Sequence, residues 1–136
     1  MKNFLLSKLW IVMVLALICS CSFSKPQKTV VLNLAAQNCG YLLAQERPEL
    51  VKGVLVHSRY ALEVLDPKGY AELVFRKWAE GMVAMLKLDP LLEMNFKEVV
   101  KLVEVEILLA EDQQEIAQLV HKVMQHFIKG ISAGKQ

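Results

Sequence analysis

The sequence predicts an all-α fold, a small irregular bundle of about five short helices, and three observations predict it. Apolar residues recur at threes and fours through most of the chain beyond residue 28, the spacing that lines up one face of a helix. Three dipeptides, Arg47-Pro48, Asp66-Pro67 and Asp89-Pro90, mark helix starts, because Pro suits the first helical position and disfavours helix in the residue before it. The breaks between periodic segments are short, which places successive helices antiparallel around one core.

The first helix is expected from Thr29 to about Glu46, with Thr29 as its cap and Val31, Leu32, Ala35, Ala36, Cys39, Leu42 and Leu43 on its apolar face. Gly40 lets a neighbouring helix come close, at about 1 kcal/mol of helix propensity. After Arg47-Pro48, Leu50, Val51, Val54, Leu55, Ala61, Leu62 and Leu65 continue the pattern. Asp66-Pro67 then starts a third helix, with Tyr70, Val74, Phe75, Trp78, Met82 and Met85 inward and the charged stripe Glu72, Arg76, Glu80 outward. Asp89-Pro90 starts a fourth. Asn95-Phe96-Lys97-Glu98 resembles a capping box, and the β-branched run at 99–107 alternates enough for a strand. Helix is favoured there, since a lone strand would lack a partner. In the last segment Asp112 caps, Ile116, Leu119, Val120, Val123, Met124, Phe127 and Ile128 face the core, and Gly130 is the expected end.

The start of the chain follows a different logic. Lys2 and Lys8 precede the eleven-residue apolar run from Leu9 to Cys19, and the polar Ser20, Ser22, Ser24 and Lys25 follow. A positive start, a short apolar centre and small residues at a cut site make a secretion leader; a spanning helix needs about 20 apolar residues. Ile18-Cys19-Ser20-Cys21 resembles the lipobox of bacterial lipoproteins, with an aliphatic residue at minus three and a small one at minus one. Ile18 stands where Leu is commoner, and Cys19 is unusual at minus two. The resemblance implies that Cys21 becomes the acylated N-terminus, and Ser22 after it implies sorting to the outer membrane where the host has two. Ordinary cleavage near Ser20 or Ser22, releasing a soluble protein, is the alternative. The expected division is a leader at 1–20, a tether at 21–28 broken by Pro26, and a helical domain at 29–136.

Processing changes the composition that matters. The chain has 16 Lys plus Arg against 14 Asp plus Glu, and losing Lys2 and Lys8 with the leader leaves 14 of each. A balanced charge argues against a nucleic-acid binder, which would gather a basic excess on one face. Of Cys19, Cys21 and Cys39, the first leaves and the second is acylated, so Cys39 has no disulfide partner within the domain.

Few residues suggest chemistry. His121 and His126 are five apart, about 140° around a helix, so they do not chelate one metal as a pair four apart would. His57 has no partner fixed by spacing. Cys39 beside a histidine is the one conceivable nucleophile pair, but its apolar neighbours favour a small buried residue over a reactive thiol. Glu63 with Arg59, and Glu111 with Glu115, are expected to be solvated surface. The chain has no G-x-S-x-G, H-E-x-x-H or phosphate-cradling glycine loop. Gly40-Tyr41-Leu42-Leu43-Ala44 with Pro48-Glu49-Leu50, and Leu102-Val103-Glu104-Val105-Glu106, faintly resemble small helical proteins of prophage-like regions, a resemblance that carries no catalytic residue.

The resulting expectation is a non-enzymatic lipoprotein of the cell envelope, needing neither cofactor nor metal. It is held to the membrane by acyl chains on Cys21 and engages an envelope protein. A carrier of a lipid or other apolar ligand is the second reading, and an envelope enzyme centred on Cys39 or a histidine the third. An open internal cavity lined by Met and aromatic side chains would favour the carrier, and a filled core with an exposed apolar patch the partner surface.

Overall fold

The computed structural model describes Lys8, Ile11, Met13, residues 25–65 and residues 69–135. From Lys25 onward, five α-helices follow one another among the described residues: α1 (Lys25–Glu46), α2 (Val51–Glu63), α3 (Ala71–Leu86), α4 (Pro90–Leu109) and α5 (Gln113–Gly134). Consecutive helices from α2 onward run antiparallel: His57 of α2 meets Trp78 of α3 while Val64 faces Leu73, and Trp78 meets Phe96 while Glu72 faces Leu108 of α4. The all-α bundle read from periodicity is the observed one, and residues 99–107 are helical throughout.

The main pairing joins the two ends of the described fold. α1 and α5 lie side by side and parallel, as Thr29 beside Gln118, Gln37 beside Gly130 and Ala44 beside Gly134 show in turn. Both helices keep small residues at spacing four along this seam, Ala36, Gly40 and Ala44 on one and Gly130 and Gly134 on the other. A methyl group added at Gly40 would overlap the Phe127 carbonyl, and one added at Gly130 would overlap that of Gln37. The backbones therefore touch, which only a residue without Cβ permits. Gly130 is consequently a packing residue inside α5, and the expected helix end there is wrong: α5 continues to Gly134. Gln45 Nε2 donates to the Gly134 carbonyl at 2.7 Å and satisfies one acceptor at that end.

Other boundaries follow their local chemistry. Asp89 Oδ1 accepts from the Leu92 N–H at 3.3 Å and Asp112 Oδ1 from that of Glu115 at 2.8 Å, so both expected caps are formed. Glu115 Oε2 in turn accepts from the Glu111 N–H at 3.0 Å. Pro48 ends α1 and opens a 3-10 turn, Pro48–Leu50, that leads into α2. Arg47 spans this corner and the α3–α4 corner, with Nε 3.1 Å from Asp89 Oδ2, an Nη1 bond to Glu49 at 3.3 Å and an Nη2 bond to the Leu88 carbonyl at 3.4 Å. These acceptors hold its guanidinium above its ordinary pKa, through the hydrogen bonds to Asp89 and then Glu49.

Three expectations are corrected. α1 begins at Lys25, so Thr29 lies inside it instead of capping it; once a helix is nucleated, each further residue adds a bond for little entropy. α3 begins at Ala71, after a left-handed Tyr70 with φ 66°, so Tyr70 is exposed and outside the core; the expected start at Asp66-Pro67 lies outside the described residues. Asn95 is no cap but a mid-helix residue of α4, fully enclosed, with neither side-chain polar atom hydrogen-bonded among the described residues.

The core runs the length of the bundle. Trp78 is its hub, with ring centroids 5.8 Å from Phe75, 5.3 Å from Phe96 and 5.4 Å from Phe127. The Phe96 and Phe127 contacts are edge-to-face, and such pairs add about 0.5–1.5 kcal/mol each beyond the area they bury. The indole N–H donates to Ser58 Oγ at 2.8 Å in a buried bond, so the polar edge of the ring is satisfied as well.

Candidate functional site

Cys21, the expected lipidation site, lies outside the described residues. The candidates for the other functions are spread apart. Cys39 is enclosed in the α1 core face, and burial pushes its thiol up to about 12, so it is protonated at neutral pH. A neutral, enclosed thiol is a poor nucleophile.

The histidines are engaged elsewhere. His57 Nε2 lies 3.0 Å from the Trp78 carbonyl, which only accepts, so this nitrogen carries the proton. Its ring rests on Gly81, where a side chain would collide with it. His126 Nδ1 is 3.2 Å from Gln37 Oε1 across the α1–α5 seam, and His121 is exposed on α5. Cys39 is enclosed in the core while His57 lines the edge between α2 and α3, and among the described residues no group of three or more His, Cys, Asp or Glu is arranged to hold a metal. Nor is any described helix long and apolar enough to cross a membrane.

The Met and aromatic residues divide between two environments. Phe75, Trp78, Met82, Met124 and Phe127 are packed against one another and their neighbours in the core. Tyr60 and Tyr70 stand at the surface, 65% and 75% exposed.

The surface around Tyr60 is the most distinctive of the molecule. Between α2 and α3 lies a groove of about 330 Å³ lined by His57, Tyr60, Ala61, Val64, Leu73, Val74, Lys77 and Trp78. Its walls are apolar: the Trp78 indole N–H and His57 Nε2 are both turned to protein partners, which leaves the Lys77 ammonium as the one formal charge among the described lining residues. Tyr60, Val64 and Leu73 remain largely exposed along its rim, and Tyr70 precedes Val74 by one turn, with its carbonyl accepting the Val74 N–H at 2.9 Å. A contiguous exposed apolar stretch of this kind suits a docking surface.

The opposite wall of α3 is polar. Glu72 and Arg76 pair at 3.1 Å and, with Glu104 and Leu108 of α4, border a second depression. The expected charged stripe of α3 is therefore a solvated ridge between the two. Periodicity alone showed neither depression, because both depend on how far α3 stands from its neighbours.

A third surface involves the start of the chain. Lys8 and Ile11 lie against Asn38, Tyr41 and Leu42 of α1 around a cavity of about 310 Å³, with Lys8 Nζ 4.7 Å from the Tyr41 ring centroid. No protein-family model, no curated protein and no solved structure matches this chain.

Proposed function

We propose that this chain is a lipid-anchored envelope protein whose helical domain binds a protein partner without catalysing a reaction. The anchor rests on the apolar run Leu9 to Cys19 followed by Ile18-Cys19-Ser20-Cys21, the pattern that directs acylation to Cys21 in bacterial lipoproteins. Acyl chains contribute about 0.8 kcal/mol per buried methylene, so more than one chain makes attachment effectively permanent.

The observation that carries the binding function is the α2–α3 groove. It offers apolar walls and exposed Tyr60 and Leu73, the aromatic and aliphatic content on which interface hot spots are built. The core favours this surface over an internal carrier cavity: Met82, Met124, Phe96 and Phe127 are all fully buried in one cluster. Confinement to a membrane raises the effective concentration of the groove for neighbours on the same surface, so weak intrinsic affinity suffices.

A photo-crosslinking residue at Leu73 in the native envelope tests this reading, beside one at the exposed Lys52. A single adduct of defined mass from position 73, absent from position 52 and abolished by Tyr60→Ala, is expected. Equal, heterogeneous labelling from both positions contradicts it.

A further inference from the structure

The outward face of α1 carries no charge along its middle. Gln27, Val30, Leu34, Asn38, Tyr41 and Gln45 form its outer stripe, none of them charged, and at 100° per residue they fall within about 80° of arc. Val30 is 57% and Leu34 49% exposed. From Lys25 the helix contains no carboxylate before Glu46. The outer ridge of α3, by contrast, carries Glu72, Arg76, Lys77 and Glu80. A surface helix normally keeps its charge outward, so the α1 stripe is built to be covered.

Part of that cover is visible. Lys8 and Ile11, inside the proposed leader, lie over Asn38 and Tyr41, and this cover is lost when the leader is cut. The chain then starts at Cys21, only four residues before α1 begins. Four residues reach at most about 14 Å, and Val30 and Leu34 lie within about 14 Å of the helix start. The stripe is thus kept within about 28 Å of the anchoring lipid.

We propose that, in the processed protein, the uncharged outer stripe of α1 centred on Val30 and Leu34 lies against the lipid surface in which the Cys21 acyl chains are embedded. This rests on the lipid-anchor reading. The bilayer replaces the leader as the cover of α1, and the domain is held in one orientation instead of swinging on a flexible tether. An uncharged helix face buries about 5–10 Å into the headgroup region when it lies in the interface, which suits Val30 and Leu34 flanked by amide side chains.

The test uses the processed, full-length protein purified from membranes, its N-terminal mass measured first, and reconstituted in phosphatidylethanolamine–phosphatidylglycerol vesicles. An environment-sensitive fluorophore is attached at Leu34→Cys or, on the α3 ridge, at Glu80→Cys; Cys39 is enclosed and Cys21 acylated. Both substituted positions are exposed, and circular dichroism checks the fold. Doxyl-labelled lipid is expected to quench the label at position 34 at least about twofold more than at position 80. Equal quenching in protein that carries acyl mass overturns the docked orientation and leaves the anchor standing. Shielding at position 34 without lipid quenching, with disulfide dimers forming through Leu34→Cys, overturns it in favour of a second copy on this stripe. Absence of acyl mass removes the anchor and the proposal together.

Discussion

Gly130 of α5 packs directly on the backbone carbonyl of Gln37 in α1, with no room for a side chain between them. The parallel pairing of the two helices depends on this contact and on its counterpart between Gly40 and Phe127. Gly130→Ala is therefore expected to destabilise the fold by about 2 kcal/mol or more, despite the better helix propensity of Ala. Gly53, on α2, has no atom near the position of a Cβ, so Gly53→Ala is expected to stabilise by about 0.5–1 kcal/mol. Urea denaturation followed by circular dichroism measures both.

Ser58 exists in this core to receive the Trp78 indole N–H. Ser58→Ala leaves that donor buried and unpaired, at a cost of about 1–3 kcal/mol. The double variant Ser58→Ala with Trp78→Phe removes donor and acceptor together. A double-mutant cycle in urea is expected to give a coupling energy well above zero.

Cys39 makes stability depend on alkaline pH. Its thiol rises from 9.0 to about 12 by desolvation on folding, so between those values the folded state holds a proton that the unfolded state has released. Stability is complete below about pH 9 and falls as pH rises towards 12, by about 1.4 kcal/mol per pH unit. Cys39→Ala is expected to lack this component in denaturation series from pH 8 to 11. The native thiol is expected to react with iodoacetamide at pH 8 only as fast as the domain unfolds.

Asn95 is enclosed with both side-chain polar atoms unpaired among the described residues. Exchange for an apolar side chain of similar volume removes a desolvation cost, so Asn95→Leu is expected to raise stability by about 1 kcal/mol. Thermal denaturation of the two proteins checks it.

The helices were legible in the sequence wherever a local rule decides them. Asp89, Asp112 and Arg47-Pro48 act through neighbours one turn away, and the apolar faces follow from the helical period alone. Gly130 was misread because its role is set by distant chain, and Asn95 because two start signals compete within one turn and a half of each other. A glycine near a helix end suits termination or close packing equally well, and only the arrival of Gln37 distinguishes them. Asn95-Phe96-Lys97-Glu98 has the spacing of a capping box, yet α4 had already started at Pro90. The groove of α2 and α3 was invisible for the same reason as the role of Gly130: the period places Trp78 inward, and only the arrival of α3 beside α2 sets the exposed Tyr60 on the rim of a groove.

The central claim is that Cys21 anchors this domain to a membrane. Intact mass and membrane fractionation of the wild-type protein beside Cys21→Ser test it most directly. Wild-type protein is expected in the membrane fraction, beginning at Cys21 and carrying acyl mass, with the variant unacylated. Wild-type protein that is soluble, unmodified and indistinguishable from Cys21→Ser would contradict it.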